Sequence, residues 1–167
     1  MYIRKKILFL LPLIFSLSVL SSDIEEIIVK GEYREKSLGE EDSSIVVIQS
    51  EQIKSQPTKH FQQLSYLVPN LNYAASDSRA RYFQIRGIGE RSGYQGTPNS
   101  SVGFLIDDID YSGQGGIATL FDVDQVEVFR GPQGSRSGAN ALAGLIYIKT
   151  KDPTNEFEGN SEITLGD

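Results

Sequence analysis

Cysteine and tryptophan are absent from the 167 residues, and histidine and methionine occur once each. Without thiols the chain has no disulfide, no thiol catalysis and no thiolate metal site, so a folded domain must hold together by packing. A single histidine, His60, cannot build a histidine ligand cluster within one chain. Beside the apolar Phe61 and Leu64 it reads as a surface or packing residue. Basic residues are also scarce, with 16 Lys and Arg against 22 Asp and Glu. That balance argues against a nucleic-acid footprint and against binding to anionic membrane surfaces.

Long hydrophobic runs are limited to one. After Arg4, Lys5 and Lys6, the residues from Ile7 to Leu20 are nearly all apolar, and the small Ser21 and Ser22 follow. A membrane-spanning helix needs about 20 apolar residues, whereas this run is 14 residues long and contains Pro12. The order basic, apolar, small is that of a secretory signal. Residues 1–21 are therefore expected to be a signal peptide, cleaved after Ser21 or alternatively after Ser22. Its removal leaves 13 basic residues against 22 acidic ones, a net charge of −9.

Residues 22–43 are rich in Glu, Lys, Gly and Ser around one β-branched run, Ile27-Ile28-Val29. The composition predicts a flexible linker carrying one extended segment. Such a segment can add to the edge of a partner's sheet or form a first strand of the domain; both readings stay open. From Ser44 the pattern becomes globular. Ile45–Gln49 reads as a buried strand. Ser50 is expected to cap a helical turn that Pro57 ends, and Thr58 to cap a helix over 59–67. In that helix Phe61, Leu64 and Leu67 share a face, and Pro69-Asn70 stops it. Further strands are predicted at Tyr82–Arg86, Val102–Ile106, Val126–Arg130 and Leu145–Lys149, separated by long Gly-rich loops. Short strands, long loops and two small helices indicate an α+β domain rather than a βαβ repeat. A new alternating segment begins near Glu156.

Motifs for chemistry are few. Gly131–Gly134 and Gly138–Gly144 lack the Gly-Lys-Ser/Thr ending of a phosphate loop, and Gly87-Ile-Gly89 lacks the third glycine of a dinucleotide fingerprint. These glycines are expected to serve backbone geometry. Asp107, Asp108 and Asp110 do not match a calcium loop and read as a solvated turn. Arg86 and Arg130 each close a predicted strand ahead of a glycine. Glu127, three positions before Arg130, projects toward the opposite face, so the carboxylate partner of these arginines is expected elsewhere.

Taken in order, these residues resemble a known family. Gln125-Val-Glu-Val-Phe-Arg-Gly-Pro-Gln-Gly134 followed by Gly138–Pro153 is similar to the end of the plug domain of TonB-dependent outer-membrane receptors. Phe83–Gly89, Val102–Asp108 and Gln63–Asn70 resemble its earlier segments, and Ile24–Gly31 resembles its TonB box. The resemblance implies a plug at 44–153, a small mixed β-sheet with short helices and long loops, seated in a barrel in the outer membrane. The TonB box and linker would be residues 22–43, and residues 154–167 the start of a barrel whose remainder, the C-terminal transmembrane β-barrel, is absent.

In that family TonB, with its inner-membrane complex, pairs with the box as an added strand; here the box would be Ile24, Glu25, Glu26, Ile27, Ile28, Val29, Lys30 and Gly31. Arg86 and Arg130 would pair with barrel glutamates. Tyr94, Gln95, Asn99, Ser112 and Gln114 would face the substrate. The cargo would be a ferric siderophore, haem, cobalamin or another scarce nutrient. No catalytic residue, metal ligand, cofactor or nucleic-acid partner is implied. A stand-alone periplasmic interaction module is the rival reading. A hydrolase built on the acidic turn is a third, without a recognisable set of nucleophile, base and orienting group.

Overall fold

The computed structural model describes residues 26–32, 34–40, 43–75, 79–92, 99–115, 118–159, 161 and 163. The expected signal peptide lies outside them. Nine strands and two short α-helices follow one another: β1 Ile28–Val29, β2 Lys36–Ser37, β3 Ile45–Gln49, α1 Ser50–Lys54, β4 Leu71–Ala75, β5 Ala80–Ile85, β6 Val102–Ile106, β7 Ile109–Asp110, β8 Val123–Arg130, α2 Gly134–Ser137 and β9 Gly144–Thr150. A 3-10 helix, Phe61–Leu67, separates α1 from β4.

The central sheet has five strands in the order β3-β8-β9-β6-β7. All pairs are antiparallel except β6 with β9, which is parallel. The sheet is thus mixed, as expected. Its register sorts the side chains by their two-residue period. One face carries the rows Val46–Val128–Ile146–Phe104 and Ile48–Val126–Ile148–Ile106. The other carries Ile45–Phe129–Leu145 and Val47–Glu127–Tyr147–Leu105. Both faces are apolar, so each needs a cover.

The first cover is the 3-10 helix with the β4–β5 hairpin. Phe61 and Leu64 are fully buried, and Leu67 packs against the same cluster. Their spacing of three fits a 3-10 helix, in which residues i and i+3 eclipse. Phe61 meets the rings of Phe83 and Phe104 edge-on at 5.3 and 5.6 Å, and those two stack at 5.7 Å. These separations are those of favourable aromatic pairs.

The second cover is the N-terminal segment. β1 pairs with β2 as a separate two-stranded ladder. Val29 is fully buried against Phe129, Leu105, Leu145 and Tyr147, with Leu38 alongside. A linker with little apolar to bury was expected here. The run Ile27–Val29 instead places Val29 on the sheet, where it shares this apolar face with the buried Ala141 and with Arg136, which lies over the Tyr147 ring.

Local signals were read well at strands and less well at caps. The strands predicted between Ile45 and Lys149 all form, and β4 joins them as the partner of β5. Gln49, not Ser50, precedes α1, with its N–H donating to Gln52 Oε1 at 3.3 Å; the Ser50 hydroxyl turns to Glu51. His60, not Thr58, precedes the 3-10 helix, and Gln63 Oε1 accepts from the N–H groups of Lys59 and His60. In both places a Gln reaching back took the role assigned to a hydroxyl. After Thr150 the described residues form no strand, and Phe157 and Ile163 are exposed.

The aromatic triad sets a first test. Phe61→Ala is expected to cost roughly 3–5 kcal/mol, the range for truncating a buried aromatic ring. A urea titration of the variant against the parent chain, read by circular dichroism, measures it.

Candidate functional site

Three groups of predicted site residues have members among the described ones, and they occupy different parts of the fold. The first is the segment from Glu26 to Gly31; Ile24 and Glu25 lie outside the described residues. Lys30 and Gly31 follow β1 and turn both their N–H groups onto the carboxylate of Glu127. Lys30 N donates to Oε1 at 2.6 Å and Gly31 N to Oε2 at 2.7 Å. Gln125 Nε2 donates to the carbonyl of Ile28 at 2.9 Å and to Glu127 Oε1 at 2.6 Å. Outside this knot, Lys30 Nζ pairs with Asp124 at 2.8 Å.

Glu127 is fully buried in the middle of the second sheet face. Burial pushes its carboxyl up, against the lowering pull of the N–H groups of Lys30 and Gly31 and of the Gln125 amide. A buried carboxylate is tolerated when hydrogen bonds saturate it, and the N-terminal segment supplies two of those bonds. Gly31 is required by the fit. A Cβ there would meet the Glu127 carboxylate and lie 2.7 Å from the Phe129 ring.

The second group is the pair of strand-end arginines. Arg86 sits at φ 54° just after β5 and is exposed. Arg130 ends β8 and is half-buried; its Nε is buried with no hydrogen-bond partner among the described residues. Ile85 lies against Gly144, which is the register partner of Arg130. The fold therefore brings the ends of β5 and β8 together. Glu127 is not the partner of Arg130, as the two-residue period required.

Of the loops expected to face a substrate, the described residues around Ser100 and Gly113 lie close to one another. Tyr94 and Gln95 are outside the described residues. Asn99 and Gln114 are exposed, and a Cβ on Gly113 would lie 3.7 Å from Ser100 Oγ. Ser112 is committed internally: its Oγ accepts from Phe104 N at 3.0 Å and its N–H donates to Asp110 at 2.8 Å.

The acidic turn is a fastening rather than a solvated turn. Asp107 and Asp108 both take positive φ, 46° and 69°, between the paired Ile106 and Ile109. That is the geometry of a tight two-residue hairpin turn, which Asp tolerates. Asp107 accepts from Thr150 N at 3.0 Å and from Thr150 Oγ1, Asp108 pairs with Arg136, and Asp110 accepts from Asn140 at 2.9 Å. All three carboxylates are engaged in holding loops, which leaves the hydrolase reading without a free acid at this turn.

Sequence reasoning missed Gln125, Glu127 and Gly31 as partners in one contact. A signal existed. Glu127 stands inside the run Val126-Glu-Val-Phe129, where an unpaired charge in a buried strand demands a partner.

A family model, the TonB-dependent receptor plug domain, matches residues 37–145. The chain belongs to that family. It is a family of transport receptors rather than of enzymes. The chain is 26% identical over 155 residues to the pesticin receptor of Yersinia pestis, covering 92% of this chain and 23% of that protein. It is 26% identical over 147 residues to the vitamin B12 transporter of Vibrio vulnificus, covering 85% of this chain and 23% of that one. The crystal structure of the ferripyoverdine receptor of the outer membrane of Pseudomonas aeruginosa superposes with a TM-score of 0.63 at 20% identity, over 78% of this chain and 17% of that one. That last likeness concerns fold alone. The chain thus spans less than a quarter of the length of these curated relatives.

The acidic turn of the plug gives a pH test. Partial burial pulls the Asp107 carboxyl upward, but the hydrogen bonds from Thr150 and the charge of Lys149 outweigh it and hold it below the usual carboxylate range. A lowered pKa means stability that is present above the ordinary carboxylate pKa and lost as pH falls through the folded one. Asp107→Asn keeps a residue that accepts positive φ. It is expected to destabilise the plug at pH 7, with the difference shrinking as pH falls below the ordinary carboxylate pKa and on through the folded one. Paired denaturation curves over a series of falling pH values check this.

Proposed function

We propose that this chain is the gating plug of a TonB-dependent outer-membrane receptor that takes up a scarce nutrient at the expense of TonB-transmitted energy. Residues 22–43 would be the TonB box and linker, 44–153 the plug and 154–167 the start of the barrel. The box, Ile24–Gly31, binds the periplasmic part of TonB as an added strand. Arg86 and Arg130 close the plug against glutamates of the surrounding barrel. The loops carrying Tyr94, Gln95, Asn99, Ser112 and Gln114 face the cargo. The cargo classes are those of the family: ferric siderophore, haem or cobalamin.

One observation carries the TonB role. A short extended segment lies ahead of the plug core, docked on the sheet by Val29 and by backbone hydrogen bonds to side chains, with Ile28 half-exposed. A segment held this way is ordered when docked and free to pair when released. Support for the lock comes from the Arg130 Nε, buried without a partner among the described residues. A cation in that state calls for a carboxylate from outside the plug.

Binding of TonB's C-terminal domain to the full chain tests the assignment. Ile28→Pro removes one ladder donor on the outward edge without touching the buried Val29. Binding by calorimetry is expected to fall about tenfold or more, with circular dichroism unchanged. Equal binding by parent and variant would remove the strand-addition role from this segment.

A further inference from the structure

In an extended strand the N–H and C=O of alternate residues point to the same edge. Residues 27 and 29 therefore share one edge of β1, and residues 28 and 30 the other. The first edge is spoken for by the ladder with β2, extended by Leu38 N donating to the Ile27 carbonyl at 2.9 Å. The second edge has no strand beside it among the described residues. Its acceptor, the Ile28 carbonyl, takes the Gln125 amide, and its donor, Lys30 N, gives to the Glu127 carboxylate.

We propose that Gln125 and Glu127 together act as a side-chain substitute for a neighbouring strand, so that a partner can add to residues 28–31 only by displacing them. The pair presents one donor and one acceptor, two residues apart on β8, to the same carbonyl and N–H that an incoming strand would use. Glu127 is the positioning residue, because it also collects Gly31 N and the Gln125 amide and so joins all four groups. Gly31 sets specificity, since the close approach of its backbone to Glu127 and Phe129 leaves no room for a side chain. Val29 anchors the arrangement by filling the apolar face beneath it. Release then requires the carboxylate to lose two backbone donors at once, which makes docking all-or-none rather than graded.

This inference deepens the coupling role proposed for the segment and rests on it for its meaning, yet its test needs no TonB. The chain has no cysteine, so Val29→Cys gives a unique thiol at a position that is buried only while the segment is docked. Val126→Cys, buried on the opposite face of β8, reports opening of the plug itself. Each is placed in the parent chain, in Glu127→Gln and in Gly31→Ala, and labelled with a maleimide under native conditions. Glu127→Gln keeps the volume but replaces one acceptor by an amide; Gly31→Ala acts from the segment and changes no residue of the plug sheet. Both are expected to raise the labelling rate at position 29 by about tenfold, the loss of a charge-assisted hydrogen bond, with position 126 unchanged. No rise at position 29 in either variant, or a rise matched at position 126, would overturn the proposal. Loss of TonB binding in the Ile28→Pro chain is a separate result, so a failed coupling role and a failed docking contact are told apart.

Discussion

A sheet with two apolar faces cannot rest in water on either side, and most of what this plug does with its remaining residues follows from that. Strands β3, β8, β9 and β6 alternate apolar with apolar, leaving rows of Val, Ile and Phe on one side and Ile, Phe, Leu and Tyr on the other. The core segments cover only the first of these. The second is shared between Ala141 and Arg136 of the segment before β9 and the N-terminal segment, which is thereby bound into the fold while remaining a small, separate ladder. The face it covers carries one acid at its centre. Glu127 needs donors that its own strand neighbours supply only in part, and the segment's backbone brings the rest.

Much of this was legible in the chain. The strands announce themselves through β-branched runs bounded by glycine, and the spacing of Phe61, Leu64 and Leu67 gave the buried face of the helix while leaving its 3-10 character undetermined. Two-residue periodicity was enough to separate Glu127 from Arg130. What could not be read was the destination of Val29. Nothing local distinguishes a β-branched run awaiting a partner from one already buried, because the answer depends on a face assembled from β8 and β9, about a hundred residues away. The role of Glu127 was hidden for the same reason. Its motif marks an anomaly, but only tertiary contact names the donors.

The caps illustrate a smaller limit. Ser50 and Thr58 are the residues that composition favours ahead of a helix, yet Gln52 and Gln63 reach back to the preceding N–H groups and shift each start by a residue or two. The acidic turn shows the reverse. Three carboxylates in four residues invite a functional reading, and each is occupied with ordinary structural work at a hairpin and its neighbouring loops.

The strand order has a bearing on how such a chain reaches its destination. β9 is the last strand among the described residues and lies between β8 and β6, where it joins both, in parallel with a strand that ended nearly forty residues earlier. Until residues 144–150 are available, β6 and β8 have no common neighbour and the sheet has a gap at its centre. Contacts this distant in sequence form slowly. A chain emerging N-terminus first would therefore complete the centre of this sheet only when almost all of residues 45–150 had appeared.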